Sequence, residues 1–299
     1  MKVEERLEMY EKNLLVKSEG TRKQYLNDLK VWFRYMKNKK RQITKDEDFV
    51  NIDYREIKKF INYLIKNGRA ATTIRRKIIS LKLFFQYLDQ EKIVLDNPFD
   101  KIDKRDLPKI PKRLPKSLSI EECKRLINSV NSRNTIRDKC IIIIFLSTGM
   151  RLSELISLNV DNILEEEIRI IGKENKERVV YLTDQAKKIV KLYIKQRPKN
   201  LKTKALFLSE RNGRIARGTV QNAIRNAMYN AGIKGDNDVL VHILRHTFAT
   251  LLYQSGEVDL FQLQELLGHE DVSTTRIYTD VSKEQLKNAV EANPLNKIF

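Results

Sequence analysis

The sequence predicts a mainly α-helical protein of two domains, the second of which carries one small β-hairpin. Three observations predict it. Apolar residues recur at helical spacing through residues 1–105 and through most of residues 118–299. Between these regions, Pro108, Pro111 and Pro115 fall within eight positions, which excludes a helix and stiffens an extended path. In the second region, two short runs rich in Ile and Val flank a polar turn.

The first domain, residues 1–105, reads as helices. Thr21–Met36 places Tyr25, Leu29, Trp32, Phe33 and Met36 at helical spacing, with Lys and Arg between them. Ile57–Ile65 repeats the pattern with Phe60, Ile61 and Leu64. Ala70–Leu88 sets Ile74, Ile78, Leu81, Phe85 and Leu88 on one face, with Thr72 or Thr73 as its cap. The aromatic residues are read as core, ahead of platforms for stacked bases. Residues 106–117 (DLPKIPKRLPKS) are the linker, and Lys109, Lys112, Arg113 and Lys116 suit it to a phosphate backbone.

The second domain, residues 118–299, opens with a helix over Ser119–Val130 and a longer one around Arg137–Ser147. Glu167–Ile171 and Arg178–Thr183 form the hairpin around the turn GKENKE. Helices follow at Asp184–Gln196, Thr219–Ala231, His242–Gln254 and Leu260–Leu267. Gly232, Gly256 and Gly268 stand where the last three should stop.

Charge narrows the partner. The 58 Lys and Arg against 39 Asp and Glu leave a net charge of +19. Solubility alone needs a magnitude of only about 2–8. The excess therefore favours a polyanion, nucleic acid ahead of an acidic membrane surface. Cys123 and Cys140 lack a C-x-x-C spacing, which argues against a disulfide framework or thiolate metal site and fits a reducing cytosol. The N-terminal MKVEERLEMYEK lacks the apolar stretch of a signal peptide, and the apolar run Ile141–Leu146 is too short to span a bilayer. A cytoplasmic location is expected.

The three histidines, His242, His246 and His269, all lie near the C-terminal end. His242 and His246 are four apart, as in H-E-x-x-H zinc sites, but Ile243 stands where the Glu would be and Arg245 would set a cation beside the metal. No metal is expected, and His246 reads as a hydrogen-bonded structural residue. Phosphoryl chemistry suits the cluster better. Attack on a phosphodiester builds charge on two non-bridging oxygens, which planar guanidinium groups match in pairs. Arg151 follows a Thr-Gly break at the end of an apolar helix, and Arg245 lies three residues after His242, on the same helix face. For any one arginine alone, a surface salt bridge is the competing role. Tyr278, nine residues after His269, is a possible nucleophile. With 11 tyrosines in the chain, position alone does not select it. A phosphotyrosine would store the energy of the broken bond, and the chain has no G-x-x-x-x-G-K-[ST] loop for ATP.

The segments TGMRLSEL, IGKENKERVVYL, HILRHTFAT, LLGHE and TTRIYTDVS resemble the successive signature motifs of tyrosine site-specific recombinases, the phage-type integrase family, and among them the Xer type. They stand in the family's order at similar intervals. KRLPKSLSIEE resembles the family's interdomain linker, and TTIRRKIISLKLFFQYL its N-terminal DNA-clamping domain, so the likeness covers nearly the whole chain. The resemblance implies a two-domain DNA clamp: a four-helix core-binding domain and a mostly helical catalytic domain. It implies that Arg151 and Arg245 clamp the scissile phosphate and that Lys173 is the general acid for the 5′-oxygen. It further implies that His242 and His269 assist proton transfer, that Glu154 orients the site and that Tyr278 attacks. Lys176 is the rival acid, and the turn carries Glu174 where many relatives carry Gly.

The resemblance also implies duplex DNA as partner, no cofactor, and a homotetramer that exchanges strands through a Holliday junction at the nucleoid. A paralogous recombinase or a DNA translocase is a possible further partner. The segment Lys283–Phe299, with Leu286, Val290, Ile298 and Phe299, is the expected contact between protomers. Thr72, Thr73, Arg75, Arg76 and Lys77 are the groove-binding candidates, joined by Lys112 and Arg113 of the linker. No arm-binding domain is expected before the clamp-like helices, in keeping with the simpler Xer-like organisation. Chromosome-dimer resolution and mobile-element integration or excision both stay open. The rivals are a type IB topoisomerase-like relaxing enzyme and a non-catalytic DNA-binding regulator.

Overall fold

The structure, a computed structural model, describes residues 1–110, 116–164, 167–171, 177–199, 201–234 and 240–268. Lys112, Arg113, Lys173, Glu174, Lys176, His269, Tyr278 and the segment Lys283–Phe299 lie outside the described residues. The chain divides into two units, Met1–Lys112 and Arg113–Phe299, within the proline-rich stretch.

Four helices build the first unit: α1 (Val3–Asn13), α2 (Glu19–Asn38), α3 (Tyr54–Lys66) and α4 (Ala71–Gln90). Polar side chains satisfy free N–H groups at two of their starts: Ser18 accepts from the Thr21 N–H at α2, and Asp53 from the Glu56 N–H at α3. The aromatic stripe is core. Trp32 is buried and meets Phe85 edge-on, while Phe84 and Phe85 pack against Phe49. Apolar spacing misses α1 because its inward face carries Arg6, which is buried against Asp46 and Glu91. The expected threonine cap of α4 is corrected. The extended backbone of Ala70 marks the helix start, so Thr72 and Thr73 stand inside the first turn and Ala70 provides no side-chain cap.

The second unit packs around α6 (Thr135–Thr148), which is apolar on nearly every side: Cys140, Ile141, Ile142, Ile144 and Phe145 are all buried. Helix α5 (Ile120–Asn128) precedes it, started by a reciprocal pair in which Ser119 accepts from Glu122 and Glu122 from Ser119. After α6 come the short α7 (Leu152–Ser157), strands β1 (Glu167–Ile171) and β2 (Glu177–Tyr181), then α8 (Asp184–Gln196), α9 (Arg217–Asn230), α10 (Leu240–Gln254) and α11 (Leu260–Leu267). Helices α8 and α10 both pack on α6. The strands pair antiparallel, Ile168 opposite Val180 and Ile170 opposite Arg178. Strand β2 stops short of Thr183, whose hydroxyl instead accepts the Ala186 N–H and starts α8. No described helix is long and apolar enough to cross a membrane.

Candidate active site

Gly149 ends α6 in the left-handed region, φ 59°, and a Cβ there would collide with the Phe248 ring of α10. Glycine at this position lets α6 and α10 approach and turns the chain sharply into Arg151, the extended residue immediately before α7. Glu154, one turn along α7, is 4% exposed. It accepts the Arg151 backbone N–H at 2.6 Å, the Arg151 guanidinium at 2.9 Å and the Arg178 guanidinium at 2.9 Å. One carboxylate thus caps a helix and fixes two arginines.

Three arginines converge on the carbonyl end of α11. Arg245 of α10 donates to the Leu267 carbonyl at 2.7 Å and also to the Gly149 carbonyl. Arg178 of β2 donates to the same Leu267 carbonyl at 3.1 Å. Arg151 donates to the next carbonyl, that of Gly268, at 2.7 Å. The unpaired carbonyls and dipole of a helix C-terminus favour cations there. Arg245 is 5% exposed, whereas the Arg151 side chain is 39% exposed and keeps a face open to an incoming anion. The next residue in sequence is His269.

His242 stands on the open side of α10 near this cluster. Partial desolvation of its ring, followed by the charges of Arg245, Arg217 and Arg151, lowers its pKa from the ordinary value. His246 is pushed down to about 4, by burial first and then by His242 and Arg245. His246 is therefore neutral at neutral pH. Among the described residues, no three His, Cys, Asp or Glu side chains gather as a metal set. Both cysteines are free; burial raises the Cys123 thiol to about 11 and the Cys140 thiol further.

In the first unit, the groove-binding candidates on α4 surround one buried carboxylate. Asp28 of α2 is 0% exposed and binds Arg76, Lys77 at 2.8 Å and Ser80 at 3.0 Å. Lys77 is buried in this contact, while Arg76 remains partly open. Arg75 donates to the Pro108 carbonyl at 2.9 Å, which seats the start of the proline-rich stretch on α4. Thr72 is exposed and Thr73 half-buried.

The structure thus brings Arg151, Glu154, His242 and Arg245 to one place. The placement of Lys173, His269 and Tyr278 falls outside the described residues. Sequence reasoning missed Arg178, taken only as the first residue of a strand. A signal was present. In the run Arg178-Val179-Val180-Tyr181, Val180 faces the core, and alternation puts Arg178 on the same inward face. A charge at an inward strand position needs a partner, and Glu154 is that partner.

Residues 116–285 match the phage integrase family, and residues 7–92 match the phage integrase N-terminal SAM-like domain. The chain is 38% identical to tyrosine recombinase XerC of Caldanaerobacter subterraneus subsp. tengcongensis, over 96% of this chain and 85% of that protein. It is 35% identical to tyrosine recombinase XerD of Oceanobacillus iheyensis, over 92% of each. Among solved structures, XerH site-specific recombinase bound to its difH substrate, in a pre-cleavage complex, aligns with a TM-score of 0.68 at 26% identity, covering 90% of this chain and 77% of that one.

Proposed function

The chain belongs to the phage integrase family, as a Xer-like tyrosine recombinase that performs site-specific recombination, and we propose that it does so through a covalent bond between Tyr278 and DNA. The observation that carries this reading is the meeting of Arg151 and Arg245, distant in sequence, at neighbouring backbone carbonyls. Two planar cations side by side fit the two non-bridging oxygens of one phosphate.

In this reading the Tyr278 oxygen attacks phosphorus while the 5′-oxygen leaves and takes a proton from Lys173. Arg151 and Arg245 stabilise the charge gathering on the non-bridging oxygens, and Glu154 holds Arg151 in place. His242, its pKa lowered, is largely neutral at pH 7 and can accept a proton; His269 joins it in proton transfer and phosphate binding. The product is a 3′-phosphotyrosine. A 5′-hydroxyl of the exchanging strand then attacks it and restores the tyrosine. Each bond broken is replaced by one of similar energy, so no ATP is consumed.

Duplex DNA is the proposed substrate, supported by the +19 net charge and by the likeness to XerH bound to difH. Thr72, Thr73, Arg75 and Arg76 are the proposed groove contacts, with Lys77 beside them on α4 and Asp28 seating both Arg76 and Lys77, and Lys112 and Arg113 follow the backbone. The division into an N-terminal clamp, linker and catalytic domain, with Lys283–Phe299 docking on a neighbouring protomer, belongs to the same proposal. So does a homotetramer at the nucleoid that passes through a Holliday junction, in chromosome-dimer resolution or mobile-element movement, alone or with a paralogous recombinase or translocase.

The test is a nicked suicide duplex carrying the recombination site, incubated in EDTA. A covalent protein–DNA adduct is expected, and Tyr278→Phe abolishes it. No adduct, or equal trapping by the variant, overturns the reading. Dependence of recombination on a specific paired site sets it apart from relaxation by a topoisomerase-like enzyme.

A further inference from the structure

Arg178 is the one member of the arginine cluster to which the mechanism above gives no role. Its setting is more demanding than a surface salt bridge requires. It sits on the inward face of β2, opposite Ile170, with 16% of its side chain exposed. Its two terminal nitrogens go to different elements: one to the Glu154 carboxylate of α7, the other to the Leu267 carbonyl of α11. Its Nε is buried with no hydrogen-bond partner. Burial lowers its pKa, against the pull of Glu154. A buried cation with an unmet donor costs stability, and a use for the geometry it enforces would account for that cost.

Gly268 supports the same point from the other side. It ends α11 at φ 61°, and a Cβ there would collide with the Arg178 guanidinium. Close approach of this arginine to the helix end therefore needs glycine at 268 on two counts, space and backbone conformation. The two carbonyls beneath the cluster are also those that Arg151 and Arg245 use.

We propose that Arg178 is a positioning residue for the cleavage step, acting through Glu154 and the Leu267 carbonyl to hold Arg151 and Arg245 against the scissile phosphate. It touches neither DNA nor Tyr278 in this role. It makes the strand that follows Lys173 in sequence part of the same rigid arrangement as the phosphate clamp. The inference rests on the recombinase reading above, because it presupposes a phosphate between Arg151 and Arg245.

The experiment uses the full-length protein, a nicked suicide duplex, and the same duplex with a methylphosphonate at the scissile position. The methyl group removes the negative charge, so the need for a correctly placed guanidinium falls. Arg178→Met is expected to slow adduct formation about 10²-fold on the phosphate at saturating DNA, the scale of an ångström-level misplacement. On the methylphosphonate the same variant is expected within about threefold of wild type, as Arg151→Ala should be, because charge stabilisation is the lost function. Arg178→Lys, which keeps the charge but can serve only one partner well, should fall between. Gly268→Ala provides a second route to the same defect without altering the arginine.

Equal losses on both substrates would show a merely structural role and overturn the proposal. So would wild-type rates for Arg178→Met on the phosphate. If Arg178→Met fails to fold, Gly268→Ala and Arg178→Lys decide by the same ratio of rates. Absence of any Tyr278-dependent adduct in the wild type would instead overturn the recombinase reading, and this inference with it.

Discussion

Each unit buries a carboxylate beneath a group of cations, and the two groups are built differently. In the first unit, Asp28 binds Arg76, Lys77 and Ser80, which all sit on α4. In the second, Glu154 binds Arg151 and Arg178, from the start of α7 and from β2, and Arg245 of α10 joins them at the end of α11. A carboxylate whose partners share one helix fixes how that helix sits. A cluster drawn from four elements ties together segments remote in sequence. Charge differs as well: Asp28 faces two cations, whereas Glu154 serves a cluster of three. The second cluster is restrained largely by backbone carbonyls, whose partial charges hold a guanidinium without cancelling it. The first group is a mount for a basic helix, and the second, in the proposed function, is a receptacle for an anion.

The largest expected effect falls on Arg245. Lysine keeps its charge but has no planar fork to reach the Gly149 and Leu267 carbonyls together. Arg245→Lys should therefore slow single-turnover adduct formation by about 10³-fold, the scale of losing one preorganised donor to a developing oxyanion. A loss below about tenfold would mean that charge alone suffices, and the distinction between mount and receptacle would fail.

Exchanging the two carboxylates for amides compares the groups directly. Asp28→Asn leaves a buried ammonium under-neutralised and should destabilise the first unit by about 3 kcal/mol, read by urea denaturation. DNA affinity should weaken as α4 shifts, while the cleavage rate at saturating DNA stays near wild type. Glu154→Gln should do the reverse, with cleavage about 10²-fold slower and affinity little changed. If both variants alter the same quantity, the two carboxylates do one job. A smaller effect is expected from Arg75→Ala combined with Arg76→Ala. Affinity should drop for all sequences alike, and the slope of log K against log salt should shrink by about 1 for each phosphate that the variant no longer neutralises.

The helical class, the hairpin and most helices were legible because apolar spacing and glycine stops are local signals. Helix α6 is the clearest instance, where Ile141–Phe145 is a continuous apolar run before Gly149. Where a charge replaces an apolar residue on an inward face, the local signal fails. Arg6 hides α1 in this way, and Arg178 hides its own role on β2. Arg151, Glu154, His242 and Arg245 were legible only together with the motif order, since each alone also fits a surface ion pair. What spacing could not supply was their meeting at the Leu267 and Gly268 carbonyls, because that depends on how α6, α7, α10 and α11 pack. Lys77 shows the converse, a residue read as groove-facing that is buried against Asp28.

The smallest expected effect concerns acid, and it again separates the units. All three histidines lie in the second unit. In the folded protein His246 has its pKa pushed down to about 4, while an unfolded histidine titrates near 6.5. Between those values the unfolded chain binds a proton that the folded one does not. Stability is therefore full above about pH 6.5 and falls as pH drops toward about 4. His242, shifted in the same direction, adds to the slope. The first unit, lacking histidine, has no such contribution. His246→Gln should flatten the response of the second unit's melting temperature between pH 7 and 5, by an amount on the order of 2 °C, because His246 is only half-buried. Calorimetry of wild type and variant at both pH values checks this. An unchanged pH response in the variant would assign the acid sensitivity to carboxylates, and the histidine contrast between the two units would then carry no weight for stability.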